Sequence, residues 1–194
     1  MTPERRMQTP LQKIQVRDLT IYPPLLLAPM AGLTHSAFRQ ICFGFGGVGL
    51  LSTEMLSAKR LPSENPGLSP YVIRAASEKP LSYQLLISTV REMAPAIDVL
   101  HKLKADAIDL NMGCPAPAVG KMGAGIRLME QPEDVRRIVA EARKRTTLPL
   151  SAKIRLGAEL DERKLKDFCA LLEDEGIDMI SVQTKIKKES FTRR

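Results

Sequence analysis

Six short apolar runs alternate with stretches of helical periodicity, and this alternation restricts the fold more than any other feature of the chain. The runs are PLLLAPM (24–30), GLLSTEM (49–55), PLSYQLL (80–86), AIDLNMG (107–113), PLSAKIRL (149–156) and DMISVQT (178–184). Between them, Phe38, Ile41, Cys42 and Phe45 fall at i, i+3, i+4 and i+7. Val135, Ile138, Val139 and Ala142 repeat that spacing, as do Leu165, Phe168, Cys169 and Leu172, so each set predicts an amphipathic helix. Pro132 with Glu133 and Asp134 opens one helix and Lys144 with Arg145 closes it, as the helix dipole favours. Another helix is predicted over 94–104, and Gly176 suits the end of the last one. Strands and helices in strict alternation predict an α/β fold with a parallel sheet, either a barrel or a doubly wound sheet.

Side-chain direction separates these two. In PLSAKIRL, Leu150, Ala152, Ile154 and Leu156 share one face, and Ser151, Lys153 and Arg155 share the other. In AIDLNMG, Ile108, Leu110 and Met112 oppose Ala107, Asp109 and Asn111. A doubly wound sheet covers both faces with helices and reads as continuously apolar. Polar groups converging from several strand ends instead suit the mouth of a TIM (β/α)8 barrel. Only about six of the eight β/α units are visible in 194 residues. The first 20 residues, polar and unpatterned, predict a surface arm, and residues 21–194 an incomplete barrel domain. Such an open sheet exposes edges and predicts completion by another chain or by self-association.

Lys and Arg outnumber Asp and Glu by 29 to 22, a formal charge of +7 that fits either a basic soluble surface or a polyanionic partner. Three cysteines without a CxxC pair, and two histidines, predict neither a metal site nor a disulfide framework. No apolar run approaches the roughly 18 residues of a membrane span, and the first residues lack the apolar core of a signal peptide. The sequence predicts a cytoplasmic protein with no membrane association.

The cysteines are not equivalent. Cys42 and Cys169 lie on apolar helix stripes, where a free thiol packs as a small hydrophobe. Cys114 lies just past a strand end, between Gly113 and Pro115, so its thiol is predicted at the barrel mouth. The glycines at 120, 123 and 125 do not form GxGxxG, which argues against a dinucleotide turn and predicts a mobile loop. Met55, Met112, Met122 and Met129 read as packing residues.

The stretch Asn111, Gly113, Cys114, Pro115, Val119, Lys121, Gly123, Gly125 resembles the signature of the tRNA-dihydrouridine synthases. APMAGLTHSAFR (28–39), TEM (53–55), SYQL (82–85) and KIRLG (153–157) resemble further segments of that family, in the same order over residues 20–182. The resemblance implies a TIM barrel that holds FMN, takes a hydride from NADPH and reduces uridine in tRNA. It implies that Cys114 supplies a proton to C5 of uracil, which requires a protonated thiol near the base. It places Ala28, Pro29 and Met30 against the flavin, Gln84 at its pyrimidine edge and Lys153 near N1 and the C2 carbonyl. It assigns Asn111 to the target uracil and Lys121, with Lys59 and Arg60, to RNA phosphate. Arg155 reads equally well as a substrate contact or as a partner of Asp109. A target uridine must leave its stack to reach such a site.

Two departures stand out against the family pattern. Gln183 and Lys185 occupy the place of a His-x-Arg-type flavin motif. No counterpart is visible of the phosphate-binding turns after strands seven and eight, or of the C-terminal helical tRNA-binding domain. The isolated chain is therefore expected to hold FMN weakly. Two other functions compete: a dihydroorotate- or dihydropyrimidine-dehydrogenase-like flavoenzyme, and a non-catalytic RNA-binding fragment.

Overall fold

The computed structural model describes residues 11–189; residues 1–10 and 190–194, which include half of the predicted arm and the SFTRR end, lie outside the described residues. Its main sheet has five parallel strands: β3 (Leu51–Ser57), β4 (Leu81–Leu86), β5 (Ala107–Met112), β6 (Leu150–Arg155) and β7 (Met179–Gln183). They lie side by side in chain order. A doubly wound sheet reverses its strand order part-way, so consecutive neighbours mark the wall of a barrel. The predicted run 24–30 is extended but pairs only through one bridge, Leu26 to Leu50, with Leu27 N–H donating to the Leu50 carbonyl at 2.9 Å.

The helices are α1 (Ser36–Gly44), α2 (Met93–Lys102), α3 (Pro117–Lys121), α4 (Pro132–Arg145) and α5 (Glu162–Asp174). Asp161 caps α5 by accepting from Lys164 N–H at 3.0 Å. The helix-facing side of the sheet is fully apolar: Leu81, Tyr83, Leu85, Ile108, Leu110, Leu150, Ala152 and Ile154 are all 0% exposed. Val135, Ile138, Val139 and Ala142 of α4 close over this layer. No helix of the described residues is long and apolar enough to cross a membrane.

The opposite face carries the polar set, and the register arranges it in layers. Gln84 pairs with Asp109 and Asp109 with Ser151; Asn111 pairs with Lys153 and Lys153 with Ser181; Arg155 pairs with Gln183. Two residues of strand rise separate successive layers, so these side chains climb toward the C-terminal strand ends.

The predicted surface arm is corrected over its described half. Residues β1 (Ile14–Val16) and β2 (Leu19–Ile21) form an antiparallel hairpin. Val16, Ile21 and Leu50 form a buried cluster with Met179 packed against it. Arg17, at the turn, donates to Asp178 at 2.6 Å and ties the hairpin to the start of β7. Each strand is three residues long, too short for its alternation to stand out.

Candidate active site

Cys114 owes its position to three local constraints. Asn111 Oδ1 accepts from the N–H groups of Gly113 at 3.3 Å and Cys114 at 3.0 Å, folding the chain back just past β5. A Cβ on Gly113 would stand 3.1 Å from Ile154 C and 3.3 Å from the Lys153 carbonyl, so the turn lies tight against β6. Gly125, at φ +63°, approaches even closer: a Cβ there would meet the Cys114 carbonyl oxygen at 2.5 Å. That approach lets Ile126 N–H donate to the Cys114 carbonyl at 3.1 Å.

The glycine-rich stretch is therefore a packed buttress, which corrects the expectation of a mobile loop. Residues 117–121 form α3 and 125–130 a 3₁₀ helix, with Val119, Ala124, Ile126 and Leu128 buried beneath it. Gly125 serves close backbone packing, a role that spacing alone could not separate from flexibility, whereas a Cβ on Gly123 would meet nothing within 4 Å.

On the other rim, the segment 28–34 is held from two sides. Thr34 Oγ1 accepts from Met30 N–H at 3.0 Å and donates to the Met30 carbonyl at 3.1 Å. A bulge in β3 between Ser52 and Met55 supplies the second hold. There Thr53 Oγ1 accepts from Gln84 N–H at 3.1 Å, repairing the interrupted ladder, and Glu54 accepts from Gly32 N–H at 2.5 Å. The bulge also places Met55 on the cavity wall, where sequence reading had it only as packing.

These elements enclose a cavity of about 450 Å³ whose lining is largely apolar. Pro29, Met30, Gln84, Asn111, Cys114, Lys153 and Arg155 all line it, so seven of the eleven residues singled out from the sequence converge; Lys59 and Arg60 are not among its lining. Gln183 joins them, together with Leu33 and Met55. Ala28 lines an adjoining cavity of about 150 Å³ deeper in the barrel, which it shares with Pro29, Asp109 and Lys153. Lys121 is not part of the lining; it is exposed at the end of α3.

Charge inside the cavity is arranged with care. Burial pushes the Lys153 ammonium below the ordinary lysine range, opposed by the carboxylate of Asp109. Burial pushes the Asp109 carboxyl above the ordinary aspartate range, opposed by hydrogen bonds from Ser151 and Gln84 and by the charge of Lys153. Arg155 is 1% exposed and its Nη1 donates to the carbonyls of Ile186 at 3.0 Å and Glu189 at 3.1 Å. It holds the segment after β7 against the cavity, a role that neither of its sequence readings contained.

Comparison with known proteins turns this geometry into a family assignment. A family model described as dihydrouridine synthase matches residues 26–194. The chain belongs to the dihydrouridine synthase family. A probable tRNA-dihydrouridine synthase of Rhodobacter capsulatus is 31% identical over 185 residues, covering 92% of this chain and 55% of the relative. tRNA-dihydrouridine synthase B of Pseudomonas syringae pv. tomato is 30% identical over 182 residues, covering 94% and 54%. The Escherichia coli K12 protein of the same name is 31% identical over 163 residues, covering 84% and 50%. The chain thus spans about half the length of the curated relatives it matches. Among solved structures, histamine dehydrogenase from Rhizobium sp. 4-9 superposes with a TM-score of 0.66 at 12% identity, over 90% of this chain and 36% of that one. That likeness concerns the fold, and it agrees with the barrel wall read from strand order.

Sequence reading missed two parts of this candidate site. Asp109 was considered only as a partner for Arg155, and its binding of Ser151 and Gln84 needed the register. Arg39 and Glu78, both 0% exposed, anchor the rim: Arg39 donates to Glu78 at 2.5 Å and to the Thr34 carbonyl at 2.7 Å. Glu78 also accepts from Ser36 and from Ala75 N–H. Two opposite charges 39 positions apart carry no local signal of pairing.

Proposed function

We propose that this chain is the flavin-holding part of a tRNA-dihydrouridine synthase, which adds hydrogen across the C5–C6 bond of uridine in tRNA. The observation that carries the reading is Cys114, held by Asn111 and Gly125 at the wall of a cavity that also contains Gln84 and Lys153. The relatives, themselves tRNA-dihydrouridine synthases by name, support it. The cavity fits a flavin by the chemistry of its lining: apolar walls from Pro29, Met30 and Met55 suit a flat ring, and the Lys153 ammonium and Gln84 amide suit its carbonyl edge. When bound, FMN supplies the hydride to C6 of uracil, and NADPH restores it.

The protein residues do the rest. Pro29 and Met30 would bear on the flavin ring, and Ala28 lines the adjoining cavity. Gln84 donates through its amide, and Lys153 offers a cation to the pyrimidine edge, where electron density rises as the hydride is taken up. Gln183 stands at the same cavity, where an amide can donate in place of the basic residue of the family pattern. Asn111 orients the uracil. Cys114 Sγ gives its proton to C5 as the hydride reaches C6, so the base gains two hydrogens and the thiolate recovers its proton from solvent.

A uridine reaches the cavity only when turned out of its stack, and Lys121, Lys59 and Arg60 meet the flanking phosphates. Binding of tRNA weakens as salt rises. With tRNA as substrate, the place of action is the cytoplasm.

The test is Cys114→Ala in the complete enzyme of which this chain is the flavin-holding part, loaded with FMN. Flavin reduction by NADPH continues, while dihydrouridine formation in tRNA falls by about 10²–10⁴-fold, the usual worth of a positioned acid. Unchanged dihydrouridine formation overturns the assignment of Cys114. Turnover of free uracil or orotate in preference to tRNA overturns the substrate.

A further inference from the structure

A chain of directed hydrogen bonds runs from a buried carboxylate to the cysteine turn. Asp109, 7% exposed, accepts from Ser151 Oγ at 2.5 Å and from Gln84 Nε2 at 2.6 Å. Gln84, 0% exposed, uses its Oε1 to accept from Asn111 Nδ2 at 2.9 Å. Asn111, 6% exposed, uses its Oδ1 to accept from Gly113 and Cys114 N–H. Every polar side chain in the series is at least nine-tenths buried, so none can exchange its partner for bulk water at low cost.

The series has a sense, and one residue sets it. A side-chain amide has an acceptor end and a donor end that are nearly identical in shape, so shape alone cannot orient it. An ionised carboxylate only accepts. Asp109 therefore requires the Nε2 end of Gln84, which turns Oε1 toward Asn111. That oxygen in turn requires Nδ2 of Asn111, which leaves Oδ1 for the two backbone N–H groups of the turn. Reversing either amide would set oxygen against oxygen or nitrogen against nitrogen.

We infer that Asp109 is a positioning residue for Cys114, acting through the amides of Gln84 and Asn111 to fix the acceptor that pins the cysteine turn. Its carboxylate also settles which end of Gln84 faces a ligand in the cavity, because one donor of Nε2 is committed and Oε1 is occupied. The register makes this possible: Gln84, Asp109 and Ser151 are lateral neighbours on three adjacent strands, with Asn111 one layer above. The consequence for catalysis rests on reading Cys114 as the proton donor; the link between Asp109 and the turn does not.

The experiment measures alkylation of Cys114 by iodoacetamide in the full chain without flavin or tRNA, resolved from Cys42 and Cys169 by peptide mass spectrometry. Asp109→Leu removes the acceptor while filling similar space, and the turn loosens. Alkylation of Cys114 then rises about tenfold, the change expected from one net hydrogen bond. Asp109→Asn returns the rate to near that of the unaltered chain, because its carbonyl still accepts from Gln84 and its amide donates to Ser151 Oγ. A space-filling role for Asp109 would leave both variants alike. If Asp109→Leu does not melt cooperatively, Gln84→Met breaks the series one link later and gives the same rise. An unchanged rate in a folded Asp109→Leu or Gln84→Met variant, or an Asp109→Asn variant as reactive as Asp109→Leu, overturns the inference. Because no step needs the cofactor or the substrate, the result stands apart from the fate of the proposed activity.

Discussion

Helices α4 and α1 have the same apolar spacing and opposite modes of attachment. In α4, Val135, Ile138, Val139 and Ala142 are at most 1% exposed, sandwiched between the sheet and its neighbouring helices. In α1 and its cap the stripe of the same period is only half covered: Phe38 and Cys42 are half-buried, while Ile41 is 59% exposed and Phe45 88%. The residue that α1 does bury is Arg39, which reaches Glu78, the Thr34 carbonyl and the Ile73 carbonyl at 2.8 Å. One helix is held by a fully buried apolar stripe, the other mainly by polar bonds from Arg39 and Ser36 to Glu78. The difference teaches that periodicity reports an amphipathic helix but not which neighbour, if any, covers its apolar side. Helix α4 connects β5 to β6 in the middle of the wall and packs between α2 and α5, whereas α1 lies at the edge of the wall beside β3.

Three variants can break this contrast. The largest effect belongs to Arg39→Met, which leaves the Glu78 carboxylate buried without its main partner and costs about 3–5 kcal/mol in urea unfolding. A loss under about 1 kcal/mol would show that α1 is held by something other than the charge pair. Next comes Ile138→Ala in α4, a buried truncation expected to cost about 2–5 kcal/mol by the same measurement. If it proved as mild as a surface change, the sealed wall would not be the stable part of the fold. Smallest is the paired change Ile41→Ser and Phe45→Ser on the outer side of α1. It should shift stability by no more than about 0.5 kcal/mol per site and reduce self-association in light scattering. A drop as large as that of Ile138→Ala would mean that the stripe is covered in solution.

Cys114 was legible because three independent features met there: a strand end, a Gly-Cys-Pro turn and a polar strand face. Asn111 and Lys153 were legible because strand alternation assigns each to one side of the sheet, and that side proved to be a cavity wall, whereas Gln84 was legible only through the family resemblance. The hairpin at 14–21 was not legible, since three-residue strands offer no periodicity. Nor was the bulge at Thr53–Glu54, where Thr53 Oγ1 accepts the displaced ladder bond from the N–H of a residue 31 positions away.

The sequence by itself determined the alternating α/β elements, the apolar and polar sides of each strand, and the thiol at the strand end. All three are properties of spacing along the chain, and local backbone geometry enforces them. Only the tertiary structure decided the strand neighbours, and with them the partners of Asp109, the burial of Arg39 against Glu78 and the packing of Gly125 on Cys114. Those contacts join residues far apart in the chain, and a hydrogen bond or a close approach exists only once the register has brought its two ends together.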